Sequence, residues 1–238
     1  MKLCIVAGPP SSGKTTLISR IIEEVGKDLK IVFLKIDVTA AHEDEEIAER
    51  YNIPTKKVIT NDMCPDHAGV LIIGGAIEWA TELKADLLIV ESAGLCLRCS
   101  PYLNQGVGIA VISSIFGMQT PEKMGSMLSL ANIVVITRID LVSQAEREVF
   151  AQKIKEFHSE VSIIETNALQ GTALERLYRM IKESEDINFT GRGSKLMLKG
   201  SPPVGTCTIC VGKKEIGWEN HFGVIRKMDG ADYLFRGE

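Results

Sequence analysis

The chain has 238 residues, 45% of them hydrophobic, with 27 Lys and Arg against 31 Asp and Glu for a formal charge of −4 and a pI near 5.7. That length and apolar share exclude a disordered chain and suit one large α/β domain, or a domain of roughly 190 residues with a small appendage. The acidic balance gives no footprint for nucleic acid, and no stretch approaches the run of about 18 to 20 apolar residues that crosses a membrane. Leu3 to Ala7 is too short for a secretion signal, so a cytoplasmic protein with neither nucleic-acid nor membrane partners is expected.

Leu3 to Ala7 reads as a buried strand and leads into Gly8-Pro9-Pro10-Ser11-Ser12-Gly13-Lys14-Thr15, a complete G-x-x-x-x-G-K-T. Glycines let such a loop turn its N–H groups inward, and the helix that follows offers its positive end to an anion. Gly8, Pro10, Ser11, Ser12, Gly13, Lys14, Thr15 and Thr16 are therefore candidate nucleotide-binding residues, Lys14 reaching the outer phosphates and Thr15 placing its hydroxyl on Mg²⁺. The helix runs from Thr15 to Val25, with Leu17, Ile18, Ile21 and Ile22 on its apolar side, and ends near Gly26.

Lys30 to Ile36 reads as a second, near-continuously apolar strand with Asp37 at its carboxyl end. An acidic helix is expected from His42 to Arg50, closed by Asn52-Ile53-Pro54, then a short strand over Lys57 to Thr60. Cys64-Pro65-Asp66-His67 precedes a helix over about Ala68 to Glu82, against which Gly74-Gly75 argues. Leu87 to Val90 is the clearest buried strand and delivers Glu91-Ser92-Ala93-Gly94, followed by a loop bearing Cys96 and Cys99. Further strands are expected at Gly108 to Ser113 and Asn132 to Ile136, with a helix at Pro121 to Leu130 between them. After Thr137-Arg138-Ile139-Asp140, Ser143 to His158 reads as an amphipathic helix burying Ala145, Val149, Ile154 and Phe157. Ser162 to Glu165 is the last strand, before Thr166-Asn167-Ala168-Leu169 and a helix marked by Leu174, Leu177 and Ile181.

This alternation predicts an α/β fold, a three-layer sandwich around a mainly parallel sheet. Beyond about Glu185 the composition becomes Gly-rich, with short strand candidates at Lys195 to Leu198, Phe222 to Ile225 and Tyr233 to Phe235. The expected division is thus 1–185 for the nucleotide domain and 186–238 for a small β-rich module, which must pack on the main domain, dimerise or be held by metal.

Strand ends are where an open α/β sheet binds ligands. Asp37 and Glu91 are the carboxylates positioned to hold Mg²⁺ and orient water, so Lys14, Asp37 and Glu91 are the candidate catalytic residues. Asp140 can accept hydrogen bonds from the N1–H and amine of guanine, with Arg138 beside it, or else cap the following helix. Asn167, Ala168 and Leu169 are placed to close over the base.

The order and spacing of these motifs, from Lys2 to Ile181, resemble the nickel-insertion GTPases of hydrogenase and urease maturation, the HypB/UreG type of the SIMIBI class of P-loop NTPases. The resemblance rests on the phosphate loop, Asp37, Thr60-Asn61-Asp62-Met63-Cys64-Pro65-Asp66-His67, Glu91 to Gly94, Thr137 to Asp140, and Thr166 to Gly171. It implies a P-loop NTPase sandwich, GTP and Mg²⁺ binding, GTP-driven homodimerisation, metal bound between subunits, and delivery to a client metalloenzyme or its scaffold. Three departures stand out. Thr137 and Arg138 replace Asn-Lys in the guanine-reading sequence, two residues separate Cys64 from His67 where hydrogenase-type members have them adjacent, and Cys64-Pro65-Asp66-His67 inserts one residue into the urease-type Cys-Pro-His.

Six cysteines remain to be placed. Cys4, inside the first strand, reads as a small buried hydrophobe. Cys64 and His67, at a helix start that favours thiolate, suit Ni²⁺ or Zn²⁺. Cys96/Cys99 and Cys207/Cys210 form two C-x-x-C pairs whose four thiolates would complete a zinc site or a [4Fe–4S] cluster, within a chain or across a dimer. The metal-ligand candidates are thus Thr15, Asp37 and Glu91 for Mg²⁺, and Cys64, His67, Cys96, Cys99, Cys207 and Cys210 for a transition metal. The leading expectation is a GTPase that couples hydrolysis to metal binding and delivery. Its rivals are an iron–sulfur ATPase driving electrons into a metalloprotein, and a non-enzymatic, nucleotide-gated zinc scaffold.

Overall fold

Seven apolar segments pair side by side, all in parallel, into one sheet of order β3-β2-β4-β1-β5-β6-β7. The strands are β1 (Lys2–Ala7), β2 (Ile31–Asp37), β3 (Thr55–Ile59), β4 (Leu87–Ser92), β5 (Val107–Ser113), β6 (Ile133–Thr137) and β7 (Ser162–Glu165). The helices are α1 (Lys14–Val25), α2 (Glu43–Tyr51), α3 (Pro65–Glu82), α4 (Thr120–Lys123), α5 (Gly125–Leu130), α6 (Gln144–Phe157) and α7 (Glu175–Lys182). This computed structural model describes residues 1–38, 42–60, 64–94, 100–190, 195–201 and 213–217. The expected three-layer α/β sandwich with a parallel sheet is what forms.

Because side chains alternate along a strand, each strand feeds two cores. Leu3, Ile5 and Ala7 of β1, with Leu88 and Val90 of β4, join one that includes residues of α3, α5 and α6. Cys4 and Val6, with Leu87 and Ile89, join the other, which includes residues of α1, α2 and α7. That alternation decides later which layer each strand-end residue addresses.

Several boundaries differ from the sequence reading, for identifiable reasons. Pro65 opens α3 three residues early because proline suits the first helical position, and Gly74 stays inside the helix, where a Cβ would come 3.3 Å from Phe189. The single helix expected at Pro121 to Leu130 is two, α4 and α5, because Met124 leaves helical geometry (φ −101°, ψ 18°) while its side chain enters the core. On α6 the buried pair is Phe150 and Ile154; Ala145, Val149 and Phe157 are exposed instead, since the face spaced by four residues from Phe150 is the one that meets α4 and α5. Ser143, not Asp140, caps α6, its side chain and that of Glu146 forming a reciprocal capping box.

Lys195 to Leu198 makes only isolated antiparallel bridges, Leu103 to Leu198 and Met197 to Glu215. Leu196 and Leu198 are nevertheless buried in the α3-side core. The strand candidates at Phe222 to Ile225 and Tyr233 to Phe235 lie outside the described residues. Among the described residues no helix is long and apolar enough to cross a membrane.

Candidate functional site

Parallel pairing brings the carboxyl ends of β1, β2 and β4 level, with Ala7 and Ile36 both opposite Ser92, and Val6 and Lys35 both opposite Glu91. The loop of residues 8–13 leaves β1 at this edge and enters α1 through Gly13, whose φ of +94° only glycine adopts readily. A Cβ on Gly8 would lie 2.2 Å from the Val111 carbonyl, so glycine is required there as well. Ser12 is fully buried, and its Oγ has no protein partner among the described residues. Such an orphaned hydroxyl in a glycine-bounded loop at a helix N-terminus fits a phosphate ligand.

Lys14 folds back over the loop, its ammonium donating to the carbonyls of Gly8 (2.9 Å) and Pro9 (3.0 Å). Burial lowers its pKa, against the opposing pull of Glu91. Thr15 Oγ1 donates to Glu91 Oε1 at 3.2 Å. Thr15, Glu91 and Asp37 are hard oxygen donors, and Mg²⁺ characteristically takes one or two carboxylates together with substrate phosphates. The donor set therefore fits the ion.

One member of this cluster was not anticipated. Lys35 of β2 is 2% exposed, and its ammonium lies 3.4 Å from Glu91, 3.5 Å from Glu43 and 3.7 Å from Asp37. Burial works to lower its pKa, but the three carboxylates together hold it above the ordinary lysine range. A charged residue at an inward position of an otherwise apolar strand was the signal available in the sequence.

On the base side, the two replacements in the guanine-reading sequence still bind the phosphate loop. Thr137 Oγ1 donates to the Ser12 carbonyl at 2.7 Å, and Arg138 donates to the Ser11 carbonyl at 2.6 Å and to Ser113 Oγ at 3.0 Å. Arg138 adopts φ +57°, and Asp140 is exposed beyond it in a short 3₁₀ turn. The facing loop turns on the Asn167 carbonyl, which accepts from Gln170 and Gly171. A second unanticipated residue, Arg20 of α1, holds this loop by donating to the carbonyls of Ala168 (3.1 Å) and Leu169. Thr16 sits in the first turn of α1 behind Thr15.

Cys64 caps α3 and is half-buried, while His67 is buried in the first turn. Between them Asp66, 2% exposed, accepts a 2.7 Å hydrogen bond from Ser92 Oγ. Glu91 faces the nucleotide layer and its neighbour Ser92 faces α3, as strand alternation requires. Gly94, at φ +58°, lies against the phosphate loop so closely that a Cβ would come 2.5 Å from Gly8 N. A continuous packed path thus joins Gly8, Gly94, Ser92 and Asp66. Among the described residues no three His, Cys, Asp or Glu side chains converge on a metal-holding group. Cys96, Cys99, Cys207 and Cys210 lie outside the described residues. Cys4 is fully buried and its thiol pKa is pushed up to about 12 by that burial, as a packing residue's would be.

Comparison with known proteins adds sequence and fold likeness. The family model described as "CobW/HypB/UreG, nucleotide-binding domain" matches residues 2–165. An uncharacterized protein of Methanocaldococcus jannaschii is 38% identical over 231 residues, 97% of either chain. A probable hydrogenase maturation factor HypB of the same organism is 29% identical over 185 residues, 74% of this chain and 81% of that one. The crystal structure of HypB from Helicobacter pylori in complex with nickel superposes with a TM-score of 0.62 at 18% identity, covering 79% of this chain and 92% of the other, a likeness of fold.

Proposed function

The chain belongs to the CobW/HypB/UreG nucleotide-binding family and is thereby a nucleoside triphosphate hydrolase; from that premise we propose that it hydrolyses GTP to control the holding and release of a transition metal during metallocentre assembly. Nickel is the favoured cargo, because the relatives include hydrogenase maturation factors and a fold neighbour crystallised with nickel. The observation that carries the reading is the adjacency of Glu91 and Ser92: one residue faces Thr15 and the phosphate loop, the next hydrogen-bonds Asp66 within Cys64-Pro65-Asp66-His67. A displacement of this strand end by nucleotide would be felt at once on the α3 side.

In the proposed mechanism the backbone N–H groups of Ser11 and Gly13 and Ser12 Oγ bind the phosphates, and Lys14 exchanges its carbonyl partners for the outer phosphate oxygens. Thr15, Asp37 and Glu91 would hold Mg²⁺, which supplies charge neutralisation on those oxygens. Asp140 reads guanine, while Arg138 and Thr137 fix the phosphate loop and Arg20 fixes the loop over the base.

For the cargo, Cys64 and His67 are proposed ligands, joined by the two C-x-x-C pairs. The segments flanking Cys207 and Cys210 are tied to the segment following Cys99. Lys199 N–H donates to the Tyr102 carbonyl, Asn104 N–H to that of Met197, and Leu198 N–H to that of Lys214. The proposal builds one site from both pairs within one chain. A homodimer that delivers its ion to a client metalloenzyme or scaffold completes the proposal.

Anaerobic metal and sulfide analysis of wild type and of Ala variants at Cys96, Cys99, Cys207 and Cys210, alongside turnover of GTP and ATP, tests it. The expected result is a colourless protein with stoichiometric nickel or zinc, metal loss in variants of both pairs, and preference for GTP. Bound sulfide with ATP preference would overturn it in favour of an iron–sulfur ATPase.

A further inference from the structure

Burying an ammonium is costly unless partners surround it, and the same face of β2 otherwise carries Ile31 and Phe33 in the α1-side core. Lys35 is surrounded, but by groups with another claim on them. Strand register sets Lys35 directly opposite Glu91, and its ammonium and the Thr15 hydroxyl converge on the same oxygen, Oε1. Its other close partner, Glu43, is the first residue of α2. Asp37, Glu43 and Glu91 surround Lys35, and with Lys14 in the same electrostatic cluster three negative charges meet two positive ones, leaving an excess of negative charge for a cation.

We propose that Lys35 is a positioning residue that competes with Mg²⁺ for Glu91 and passes the outcome to α2. In the metal-free protein its ammonium holds Glu91 in place. When Glu91 and Asp37 are drawn to Mg²⁺, the ammonium is left to Glu43 and draws the first turn of α2 toward the site. Magnesium affinity is thereby set below what the carboxylates alone would give, and loading is communicated to a helix that contributes no proposed ligand of its own. The inference rests on the Mg²⁺–nucleotide reading above.

The test is titration of Mg²⁺ into the protein bound to a fluorescent GDP analogue, with amide exchange followed over residues 43–46. Lys35→Met lowers half-saturating Mg²⁺ by about tenfold or more, the effect of one unit charge within a few ångströms at an effective dielectric near 20. Lys35→Arg stays near wild type. Glu43→Gln, at a half-exposed side chain, raises half-saturation several-fold, because the ammonium then falls wholly to Glu91 and Asp37; in the Lys35→Met background the same change has a smaller effect. Mg²⁺ slows exchange at residues 43–46 in wild type and not in Lys35→Met. Equal Mg²⁺ dependence of Lys35→Met and wild type, or a Glu43→Gln effect independent of Lys35, overturns the inference alone. A wild-type protein that binds the nucleotide without regard to Mg²⁺ overturns the nucleotide reading and this inference with it.

Discussion

Single side chains in this protein are governed by which side of one sheet they face. Cys4 faces the α1-side core with no exposure and no charged partner, and burial raises its thiol from an ordinary 9.0 to about 12. In the unfolded chain the thiol ionises near pH 9 while the folded one keeps its proton, so the unfolded state binds fewer protons and stability falls as pH rises from 9 toward 12. The contribution of Cys4 is intact below that window and is lost at about 1.4 kcal/mol per pH unit within it. Urea unfolding at pH 8, 9 and 10 should show Cys4→Ala flattening the alkaline decline by that slope; an unchanged slope would mean the thiol is not the group responsible. Cys4 was legible in the sequence, because a cysteine inside an apolar run has packing as its ordinary role. For Lys35 only the charge within the apolar run Ile31 to Ile36 was legible, and its partners Glu91 and Glu43 come from the third dimension.

At the scale of elements, the alternation of continuous apolar runs with amphipathic ones was enough to give the parallel α/β class and nearly every strand. What it could not give was strand order, since β2 lies next to β4 rather than β1 and nothing in a local pattern encodes that. Strand order is what sets Asp37 beside Glu91. Helix faces were less legible than strands: α6 has apolar residues around much of its circumference, and only the position of α4 and α5 selects Phe150 and Ile154. Thr137 and Arg138 depart from Asn-Lys and bond the Ser12 and Ser11 carbonyls, leaving Asp140 free of capping duty and exposed. Replacing Asp140 with Asn exchanges a two-oxygen acceptor for one acceptor and one donor. Competition against a fluorescent GDP analogue should then show GTP affinity reduced about a hundredfold, the worth of one or two charge-assisted hydrogen bonds, with ATP affinity little altered. Equal loss for both nucleotides would place Asp140 in folding instead of base reading.

Across the whole molecule, the nucleotide loop and the Cys64-bearing start of α3 meet at one end of the sheet. Gly94 packs on Gly8, Ser92 bonds Asp66, and Leu196 and Leu198 are buried in the same core as Tyr102 and Leu103. The phosphate loop was legible in the sequence, whereas Asp66 read there only as a residue inserted into Cys-Pro-His. Its value lies in a partner 26 positions away on a different element. The central claim is that nucleotide state and metal grip are coupled through this contact. The most direct measurement is nickel affinity by anaerobic calorimetry on the full chain in three forms, nucleotide-free, GDP-bound and bound to a non-hydrolysable GTP analogue, for wild type and Asp66→Asn. Wild type should bind nickel with affinities that differ about tenfold or more between the GDP and GTP-analogue forms, a typical allosteric coupling, and Asp66→Asn should bring them together. Equal nickel affinity in all three wild-type forms would contradict the account.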